Sequence, residues 1–356
     1  MSKADYSKNI YPTYNSSAIY LISCFEKVKQ ISKRKIPIPE VVEIFPTNYC
    51  NFSCPHCRCA EYHGSKNEYM PIKVFESLLK ELSSKGVNSL EISGGGEPLM
   101  HPQAEEMFEL IKKYNFRIGM ITNGYPLVGN KKLQNLIIEC SDWVRFSLDA
   151  FSEETFCKVH GKKDISYKEL TKTIKSMART IKKGLPRIEL KMLISKLNYK
   201  DCEKGLKEAK RMGVNQLHYK YLANSPIALG KKEIQKTFKK LSKQKEEAEK
   251  KGIILALSPG YGGKNLFEEK CLMTFLHPLI DWDGTIYLCA FFSHRKKEHS
   301  LGNINKNGFF KNWFSKTHWK KFDSINSKTC VPNCPMKRYN PIVNYIQEEN
   351  YHFKYI

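Results

Sequence analysis

Short apolar runs alternate along the chain with longer segments in which apolar residues recur every three to four positions. The short runs are rich in Val, Ile, Leu and Phe, which is typical of strands buried on both faces of a parallel sheet. The longer segments have the spacing of amphipathic helices that place one face on a core. The pattern predicts strands at residues 41–45, 89–93, 117–122, 143–148, 187–194 and 216–221.

A helical segment follows each of these strands, so the chain repeats a strand–helix unit. Repeats of this kind form a parallel sheet with right-handed crossover connections. Six units are too few for a closed eight-fold barrel, and we therefore predict an α/β fold with a partial (β/α)6 TIM-like barrel. Functional side chains are expected where the strands end. The predicted helices span residues 72–82, 104–114, 131–139, 152–158, 167–183 and 200–212.

The pattern changes on both sides of this repeat. Residues 1–40 are predicted to form an N-terminal helical extension, because residues 18–31 are amphipathic. The barrel is predicted to occupy residues 41–260, where a Lys-rich helical segment leads into a loose Gly- and Pro-containing stretch. Residues 261–356 are predicted to form a small C-terminal Cys-rich domain made of a hairpin and a helix.

Composition and charge narrow the choice of partners. The chain has 356 residues, of which 41% are hydrophobic, so a packed core is feasible. Its net charge of +23 favours acidic partners such as phosphate esters or nucleotides, although lysines spread over solvated faces would give the same value. Residues 231–251 mix Glu among Lys, as exposed helices do, and no basic tract is interleaved with aromatic residues, so nucleic acid is not an expected partner.

The cysteine content bears on the compartment. No signal-peptide pattern is present, and no apolar stretch approaches the ~20 residues of a membrane-spanning helix. Twelve cysteines without a secretion signal favour thiols that are reduced and used for metal. We therefore expect a cytoplasmic protein without a membrane span.

Three cysteines lie in a short loop directly after the first predicted strand. Cys50, Cys54 and Cys57 have the spacing C-x3-C-x2-C. Three thiolates can ligate three irons of a [4Fe–4S] cluster and leave the fourth iron open to another ligand. A zinc site is the alternative, since Cys59 and His63 lie close enough in sequence to complete a tetrahedron.

A glycine-rich turn follows the second predicted strand. It contains Gly94, Gly95 and Gly96, followed by Glu97 and a proline. Glycines let backbone groups approach a ligand closely, and a carboxylate is suited to an ammonium group.

The C-x3-C-x2-C loop, followed one strand–helix unit later by Gly-Gly-Glu-Pro, resembles the radical S-adenosylmethionine (radical SAM) superfamily. The resemblance implies a [4Fe–4S] cluster on the three cysteines, whose open iron chelates SAM. Two departures are the histidine at position 160, where relatives often have Arg, and the missing G-x-I-x-G pattern at the fifth strand, for which Asn198 is the nearest counterpart. The residues implied to contact SAM are His56 at the adenine, Gly95, Gly96 and Glu97 at the amino group, Asn123 near the cofactor, and Ser147 at the ribose or carboxylate.

For three of these residues the sequence also allows an ordinary structural role. His56 is equally compatible with packing inside the loop, and Asn123 with a plain Asn-Gly turn. Ser147 is a common type of residue at a strand end.

Four more cysteines lie in the C-terminal part of the chain. An Asp-Gly hairpin turn at 283–284 would bring Cys271 and Cys289 to neighbouring strands, and Cys330 and Cys334 form a C-x3-C pair. The arrangement resembles the truncated SPASM or "twitch" domain of radical SAM enzymes, which implies a second, auxiliary [4Fe–4S] cluster. A structural zinc site made by the same four cysteines is the alternative.

The resemblance also implies a chemistry. The reduced cluster, fed by a one-electron reductant such as flavodoxin or ferredoxin, splits SAM and yields a 5′-deoxyadenosyl radical that removes hydrogen from a substrate C–H bond. Cys59 and Cys202 are candidate hydrogen-atom donors, as in radical SAM epimerases.

Three hypotheses about function remain open from the sequence. The first is oxidation, epimerisation or dehydration of a small hydroxylated molecule: a sugar, an aminocyclitol or a nucleotide-linked sugar. The second is maturation of a ribosomally made peptide, against which the ~40 residues before the first strand weigh as too few for a peptide-recognition domain. The third is a zinc-stabilised, non-catalytic binding module, which leaves the Gly-Gly-Glu-Pro turn unexplained.

Overall fold

One ten-stranded sheet runs through the computed structural model of the chain, in the order β10-β9-β8-β1-β2-β3-β4-β5-β6-β7. The structure describes residues 23–162, 166–181, 184–258, 270–292 and 296–330, together with Cys334, Met336 and Tyr339. The strands are β1 (Val42–Ile44), β2 (Ser89–Ile92), β3 (Arg117–Thr122), β4 (Ser141–Ser147), β5 (Arg187–Ile194), β6 (Gln216–Tyr221), β7 (Ile254–Ser258), β8 (Leu279–Ile280), β9 (Thr285–Tyr287) and β10 (Ser300–Asn303).

Helices follow the strands as crossover connections. The longer ones are strongly amphipathic and bury their apolar face on the sheet, as the sequence predicts. The helices are α1 (Phe25–Ser32), α2 (Ile72–Ser84), α3 (Ala104–Lys113), α4 (Lys131–Cys140), α5 (Glu153–His160), α6 (Tyr167–Thr180), α7 (Gly205–Met212), α8 (Lys231–Lys243), α9 (Lys245–Lys250), α10 (Lys296–His299), α11 (Ile304–Asn307), α12 (Phe309–Trp313) and α13 (Thr317–Ser324).

Strands β1 to β7 pair in parallel with their sequence neighbours, and β8 also pairs in parallel with β1. Strands β9 and β10 continue the sheet as antiparallel neighbours of β8 and β9. Between the described strands no pairing of β10 with β7 closes the sheet into a ring. The predicted α/β fold with an incomplete TIM-like barrel is therefore confirmed.

The parallel part of the sheet has two more strands than predicted: β7, and β8, the first strand of the predicted hairpin, which pairs with β1. All six predicted strands are present, and β7 adds a seventh on the edge next to β6. The apolar run of β7 is short: it begins just after Gly252 and ends before a Pro-Gly sequence. The sequence therefore indicates a domain boundary near this segment rather than a further barrel strand.

The two faces of the barrel strands differ in polarity. Residues such as Val144, Phe146, Leu190 and Met192 are fully buried against the outer layer of helices. The alternate residues of the same strands face the barrel interior, because side chains in a strand point to opposite faces in turn. Several of these interior positions are polar or charged: Arg145, Ser147, Glu189, Lys191, His218 and Lys220.

The C-terminal strands are continuous with the barrel sheet through the pairing of β8 with β1. The indole of Trp313 is fully buried and donates from Nε1 to the Pro37 carbonyl at 2.8 Å, which ties α12 to the segment before β1. The division into residues 1–40, 41–260 and 261–356 stays a prediction, and the stretch around its second boundary, residues 259–269, lies outside the described residues.

The N-terminal helix can be compared with its prediction only in part. Helix α1 covers the second half of the predicted segment 18–31, and residues 18–22 lie outside the described part of the chain. In that described part, no helix combines the length and the apolar character needed to cross a membrane.

Candidate functional site

A cavity of about 460 Å³ opens where the parallel strands end. Its walls come from the loop after β1, the turn after β2, the ends of β3 to β6 and the segment 222–224. Strand ends of a parallel barrel meet at one edge, which explains why distant parts of the sequence share this space. Thirteen residues singled out in the sequence line it: Cys50, Cys54, His56, Cys57, Cys59, His63, Gly94, Gly95, Gly96, Glu97, Asn123, Ser147 and His160.

Each thiol of the cysteine loop has a nitrogen neighbour. The Phe52 backbone N–H donates to Cys50 Sγ at 3.4 Å, and the ring of His160 lies with Nδ1 at 3.2 Å from Cys54 Sγ. The Nε2 atom of His63 lies 3.5 Å from Cys57 Sγ. The three cysteines are free thiols rather than disulfides. Hydrogen bonds from protein to cluster-ligating sulfur are a usual means of tuning an iron–sulfur site.

The electrostatics of these thiols favour a cationic partner. Burial raises the pKa of Cys50 to about 12, and it also raises the pKa of Cys54 and Cys57. The charges of neighbouring thiolates and of Asp149 add to the effect for Cys54. A trio of thiolates in this half-buried pocket is stable only when a metal offsets its charge, and three thiolates fit the irons of a [4Fe–4S] cluster.

Helix α5 holds the cysteine loop in place. The Ser53 N–H donates to the His160 carbonyl at 3.0 Å, and the rings of Phe52 and His160 lie 4.6 Å apart. Gly161 ends the helix with φ +63°, and a Cβ there would meet the Ser53 oxygen at 2.4 Å. His160 stands at the position noted as a departure from relatives, and here its contact is with a cysteine of the loop.

Glu97 is buried and bonded to its own chain. Its carboxylate accepts from the Thr122 hydroxyl at 2.6 Å, from the Asn123 N–H at 2.6 Å and from the Leu99 N–H at 3.1 Å. Burial raises the pKa of Glu97 to about 7, although these donors act in the opposite direction. Two carboxylate oxygens offer about four acceptor positions, which leaves capacity for one further donor from the cavity.

The glycine turn packs directly on the cysteine loop. A Cβ on Gly95 would lie 2.5 Å from Asn48 Oδ1, and one on Gly96 would lie 2.2 Å from the Tyr49 carbonyl oxygen. The Gly96 N–H donates to the Thr47 carbonyl at 3.2 Å. Close packing on the Tyr49 backbone therefore explains Gly96, and close packing on the Asn48 side chain explains Gly95, in addition to any approach of a ligand.

Asn123 bridges the loop and the end of β3. Its Nδ2 donates to Asn51 Oδ1 at 2.8 Å, and its Oδ1 accepts from the Tyr125 N–H at 3.0 Å. Ser147 lines the cavity at the end of β4.

The ring of His56 is oriented by a carboxylate that the sequence analysis did not assign to the site. His56 Nε2 lies 3.2 Å from Asp149 Oδ2, and both side chains are more than nine-tenths buried. Burial tends to raise the pKa of Asp149, but the hydrogen bond and charge of His56 outweigh it, and the net shift is downward. Among the described residues His56 Nδ1 has no partner although it is buried at the cavity wall, which fits a ligand with a polar edge beside this ring.

The two candidate hydrogen-atom donors lie in different places. Cys59 lines the cavity, and burial raises the pKa of its thiol to about 12, so the S–H is kept at neutral pH. Cys202 is fully buried after β5, with Sγ 4.0 Å from the Asn198 carbonyl, and it is not among the residues that line the cavity. Asn198 itself bonds the backbone of Asp149 and Leu193.

Three basic residues of the cavity wall were not predicted: Arg58, Lys191 and Lys220. The sequence gives no distinct sign of them, since Lys191 shares β5 with Arg187 and Glu189 and Lys220 shares β6 with Gln216 and His218.

Of the four C-terminal cysteines, Cys271 and Cys334 lie close enough to Cys289 for their charges to act on it. Cys289 follows β9, and burial followed by the charges of Cys334 and Cys271 raises the pKa of its thiol well above the ordinary value. Cys271 and Cys330 are half-buried and pack against the core. No three His, Cys, Asp or Glu side chains in the described ranges converge closely enough to share a single metal ion.

Comparisons with known proteins agree on two domains. Residues 44–209 match the family model of the radical SAM superfamily, and residues 271–336 match SPASM, an iron–sulfur cluster-binding domain. The described site residues after β1 to β5 fall inside the first range, and the four C-terminal cysteines fall inside the second.

Among curated proteins, a probable GTP 3′,8-cyclase of Sulfurisphaera tokodaii is 27% identical over 195 residues, which is 54% of this chain and 58% of that protein. The protein AlbA of Bacillus subtilis, named for biosynthesis of the antilisterial bacteriocin subtilosin, is 30% identical over 148 residues, 40% of this chain and 32% of AlbA. The chain thus spans about half the length of the first of these relatives and a third of the second.

Among solved structures, Streptococcus suis SuiB bound to the precursor peptide SuiA aligns with a TM-score of 0.66 at 15% identity, covering 98% of this chain and 82% of SuiB. At that identity the match supports the fold.

Proposed function

The chain belongs to the radical SAM superfamily and carries a SPASM-type domain C-terminal to the radical SAM domain, and from this premise we propose that it is an enzyme that removes a hydrogen atom from a C–H bond of a small hydroxylated substrate. The outcome would be oxidation, epimerisation or dehydration. The domains imply a [4Fe–4S] cluster with SAM and an auxiliary iron–sulfur cluster as cofactors. When bound and reduced by one electron, cluster and SAM together supply a 5′-deoxyadenosyl radical to the cavity.

The observation that carries this proposal is the convergence on one cavity of a three-cysteine loop, a Gly-Gly-Glu turn and the ends of β3 and β4. Cys50, Cys54 and Cys57 would hold three irons. The Phe52 N–H would then stabilise the thiolate of Cys50, since a hydrogen bond to a ligating sulfur favours its charged state. His160 donates from Nε2 to the Leu148 carbonyl, so its ring presents an unprotonated Nδ1 to Cys54 and does not donate to that sulfur.

The cavity wall would hold SAM by complementary groups. The Glu97 carboxylate, already fixed by three donors, would accept from the amino group. Asp149 fixes the ring plane of His56, which would lie beside the adenine, and Ser147 would donate to the ribose or the carboxylate. Because Glu97 and His56 are held by their own hydrogen bonds, little ordering of these two side chains remains to be done when SAM binds.

Cys59 is the better placed of the two candidate hydrogen-atom donors. It lines the cavity, whereas Cys202 is not among the lining residues. Donation of a hydrogen atom would leave a sulfur radical on Cys59, which one electron and one proton from the reductant system would return to the thiol. A flavodoxin or ferredoxin would be a suitable reductant, and location in the cytoplasm stays a prediction from the cysteine content.

The substrate class rests on a relative's name and on the charge of the cavity wall. The relative from S. tokodaii is named for an activity on GTP, and the cavity wall of this chain carries three basic residues. Both favour a phosphorylated or nucleotide-linked hydroxylated molecule over a neutral one.

A peptide substrate is the second candidate. AlbA is named for bacteriocin biosynthesis, and SuiB was solved with a precursor peptide. A precursor-peptide gene beside the gene for this chain would favour peptide maturation, whereas genes for sugar-nucleotide enzymes would favour the small-molecule substrate.

The test of the proposal is anaerobic reconstitution. We expect about eight irons per chain and release of 5′-deoxyadenosine when the reduced protein meets SAM. Cys54→Ala should lose about four irons and all SAM cleavage, because the remaining two thiolates cannot hold the cube. Cys140→Ala is the matched control, since Cys140 is a buried thiol bonded to the Phe108 carbonyl outside the cavity. The Cys140→Ala protein should keep its full iron content and its SAM cleavage. A protein that binds only zinc, or that leaves SAM intact, would refute the proposal.

A further inference from the structure

One wall of the cavity carries three basic side chains, Arg58, Lys191 and Lys220, and therefore favours a negatively charged ligand. Lys191 lies on β5 and Lys220 on β6, and Leu193, two residues beyond Lys191, is the direct partner of Lys220 in the parallel ladder. Side chains two residues apart point to the same face, so both lysines project into the barrel interior as diagonal neighbours. Arg58 is an exposed residue of the cavity wall with its guanidinium 4.8 Å from the centre of the Phe291 ring.

The carboxylates near these lysines are already engaged. Asp149 is bonded to His56 and to the Leu193 N–H, and Glu91, the other carboxylate whose charge acts on Lys191, lies 3.7 Å from His277 Nε2. The next cation, Arg145, pairs with the buried Glu189 at 2.8 Å. In the described part of the chain no carboxylate lies within ion-pair distance of the Lys191 ammonium, although that ammonium lines the cavity.

Neighbouring cations raise the free energy of the charged form of both lysines. Burial lowers the pKa of Lys191, and the charge of Arg145 lowers it further. Burial and then the charge of Lys191 lower the pKa of Lys220 to about 6. An anion between the two would relieve this repulsion.

We propose that Lys191, together with Lys220 and Arg58, binds an oxyanion of the substrate, either a phosphate ester or a carboxylate, inside the cavity that holds the cysteine loop. The inference rests on the proposed function, because it treats the cavity as a substrate site. It adds that the substrate is anionic and that its charged group is bound by the walls of β5 and β6, next to Ser147, the direct neighbour of Lys191 in the sheet.

Binding without turnover tests this inference. Reconstituted protein with SAM is titrated calorimetrically with pyrophosphate and, separately, with succinate. We expect one of them to bind, with an affinity that falls as NaCl is raised, and Lys191→Met to weaken it at least about tenfold through loss of one buried charge. Lys191→Arg, which keeps the charge, should recover part of the affinity. Lys80→Met is the matched control, since Lys80 is an exposed lysine of α2, and it should bind as the unmodified protein does.

The two probes distinguish the sources of the anion. Tighter binding of pyrophosphate assigns the site to phosphate esters, and tighter binding of succinate assigns it to carboxylates. Equal binding of either probe by Lys191→Met and the unmodified protein overturns the inference, and so does binding of neither probe. Titration with SAM alone gives a further check: a Lys191→Met protein that loses SAM affinity as strongly as probe affinity assigns Lys191 to SAM and overturns the inference.

The failure of the proposed function would look different. It would appear as unmodified, reconstituted protein that releases no 5′-deoxyadenosine, whatever the probes do. The anion titrations measure affinity only, so their result stands apart from that outcome.

Discussion

Buried carboxylates set much of the electrostatics around the cavity, and each is held by a different kind of partner. Glu97 is bonded by backbone and hydroxyl donors, and Asp149 by a histidine ring. Glu43 lies in the barrel next to Glu91, its direct neighbour in the β1–β2 ladder, and accepts from the Ser93 hydroxyl at 2.5 Å. The environment of each carboxylate therefore predicts a different consequence of neutralising it.

Glu97→Gln should damage both the fold and SAM binding. The amide keeps one acceptor oxygen but turns an NH2 group toward donors, so at least one buried N–H or O–H loses its partner at a cost of about 1–3 kcal/mol. The loss of charge also removes the group proposed to face the SAM amino group. Equilibrium binding of SAM and thermal unfolding of the reconstituted protein measure the two effects, and unchanged SAM affinity would remove Glu97 from the proposed SAM contacts.

Glu43→Gln should stabilise the protein at alkaline pH. Burial and then the charge of Glu91 raise the pKa of Glu43 from an ordinary 4.5 to about 8, against the opposing hydrogen bond from Ser93. The folded protein thus keeps a proton that the unfolded chain has lost, so this contribution to stability is complete below pH 4.5 and is lost as pH rises through about 8.

Glutamine is neutral at every pH and can accept the same hydrogen bond. The Glu43→Gln protein should therefore exceed the unmodified protein in stability at pH 9, by about 2–4 kcal/mol, and the difference should shrink toward acid. Thermal unfolding of both reconstituted proteins from pH 5 to 9 measures it. A constant difference across that range would mean that Glu43 is already ionised in the folded state.

The elements around the cavity are joined by their backbones as much as by side chains. The turn after β2 donates from the Gly96 N–H to Thr47 and from the Glu97 N–H to Tyr49 at 2.9 Å, so it is bonded directly to the segment before the cysteine loop. The end of α5 is bonded to the other side of that loop through Ser53. The position of the cysteines therefore depends on two neighbouring turns.

Gly96→Ala tests this dependence. The added Cβ would lie 2.2 Å from the Tyr49 carbonyl oxygen, which is backbone and must move. We expect a loss of about 1–3 kcal/mol in stability and a lower iron content at the three-cysteine site. Gly230→Ala is the matched control, because its Cβ would meet nothing closer than 3.5 Å, and it should reconstitute fully. Equal iron content in both variants would show that the turn does not position the loop.

These elements also show what the sequence can and cannot predict. The strand ends and the cysteine spacing were readable because they depend on apolar runs and on fixed positions along the chain. The pairing of Asp149 with His56 joins residues 93 positions apart. It depends on the positive φ of Asp149, 53°, which turns the chain after β4.

The register between neighbouring strands could not be predicted from the sequence either. The meeting of Lys191 and Lys220 requires the register of β5 against β6, which no local pattern encodes. The seventh strand was missed because its apolar run is short and lies between breakers.

At the scale of the whole molecule, the C-terminal part is bound to the first half of the barrel at several points. Strand β8 extends the sheet beyond β1, and Trp313 is bonded to Pro37. Glu81 of α2 accepts from the backbone N–H groups of Phe309 and Phe310, at 2.7 and 2.8 Å, where α12 begins. These contacts set the position of the auxiliary cysteines relative to the cavity.

Glu81→Gln should loosen that attachment. The amide offers one acceptor oxygen in place of two, so one of the two N–H groups at the start of α12 loses its partner, and the negative charge at a helix N-terminus is lost as well. We expect a loss of about 1–2 kcal/mol in stability and faster release of the auxiliary cluster iron under chelator, with the three-cysteine cluster retained. Glu26→Gln, at an exposed position of α1, is the matched control and should release iron at the unmodified rate. Simultaneous loss of both clusters from the Glu81→Gln protein would contradict this prediction. It would mean that the substitution disturbs the whole barrel and not only the attachment of α12.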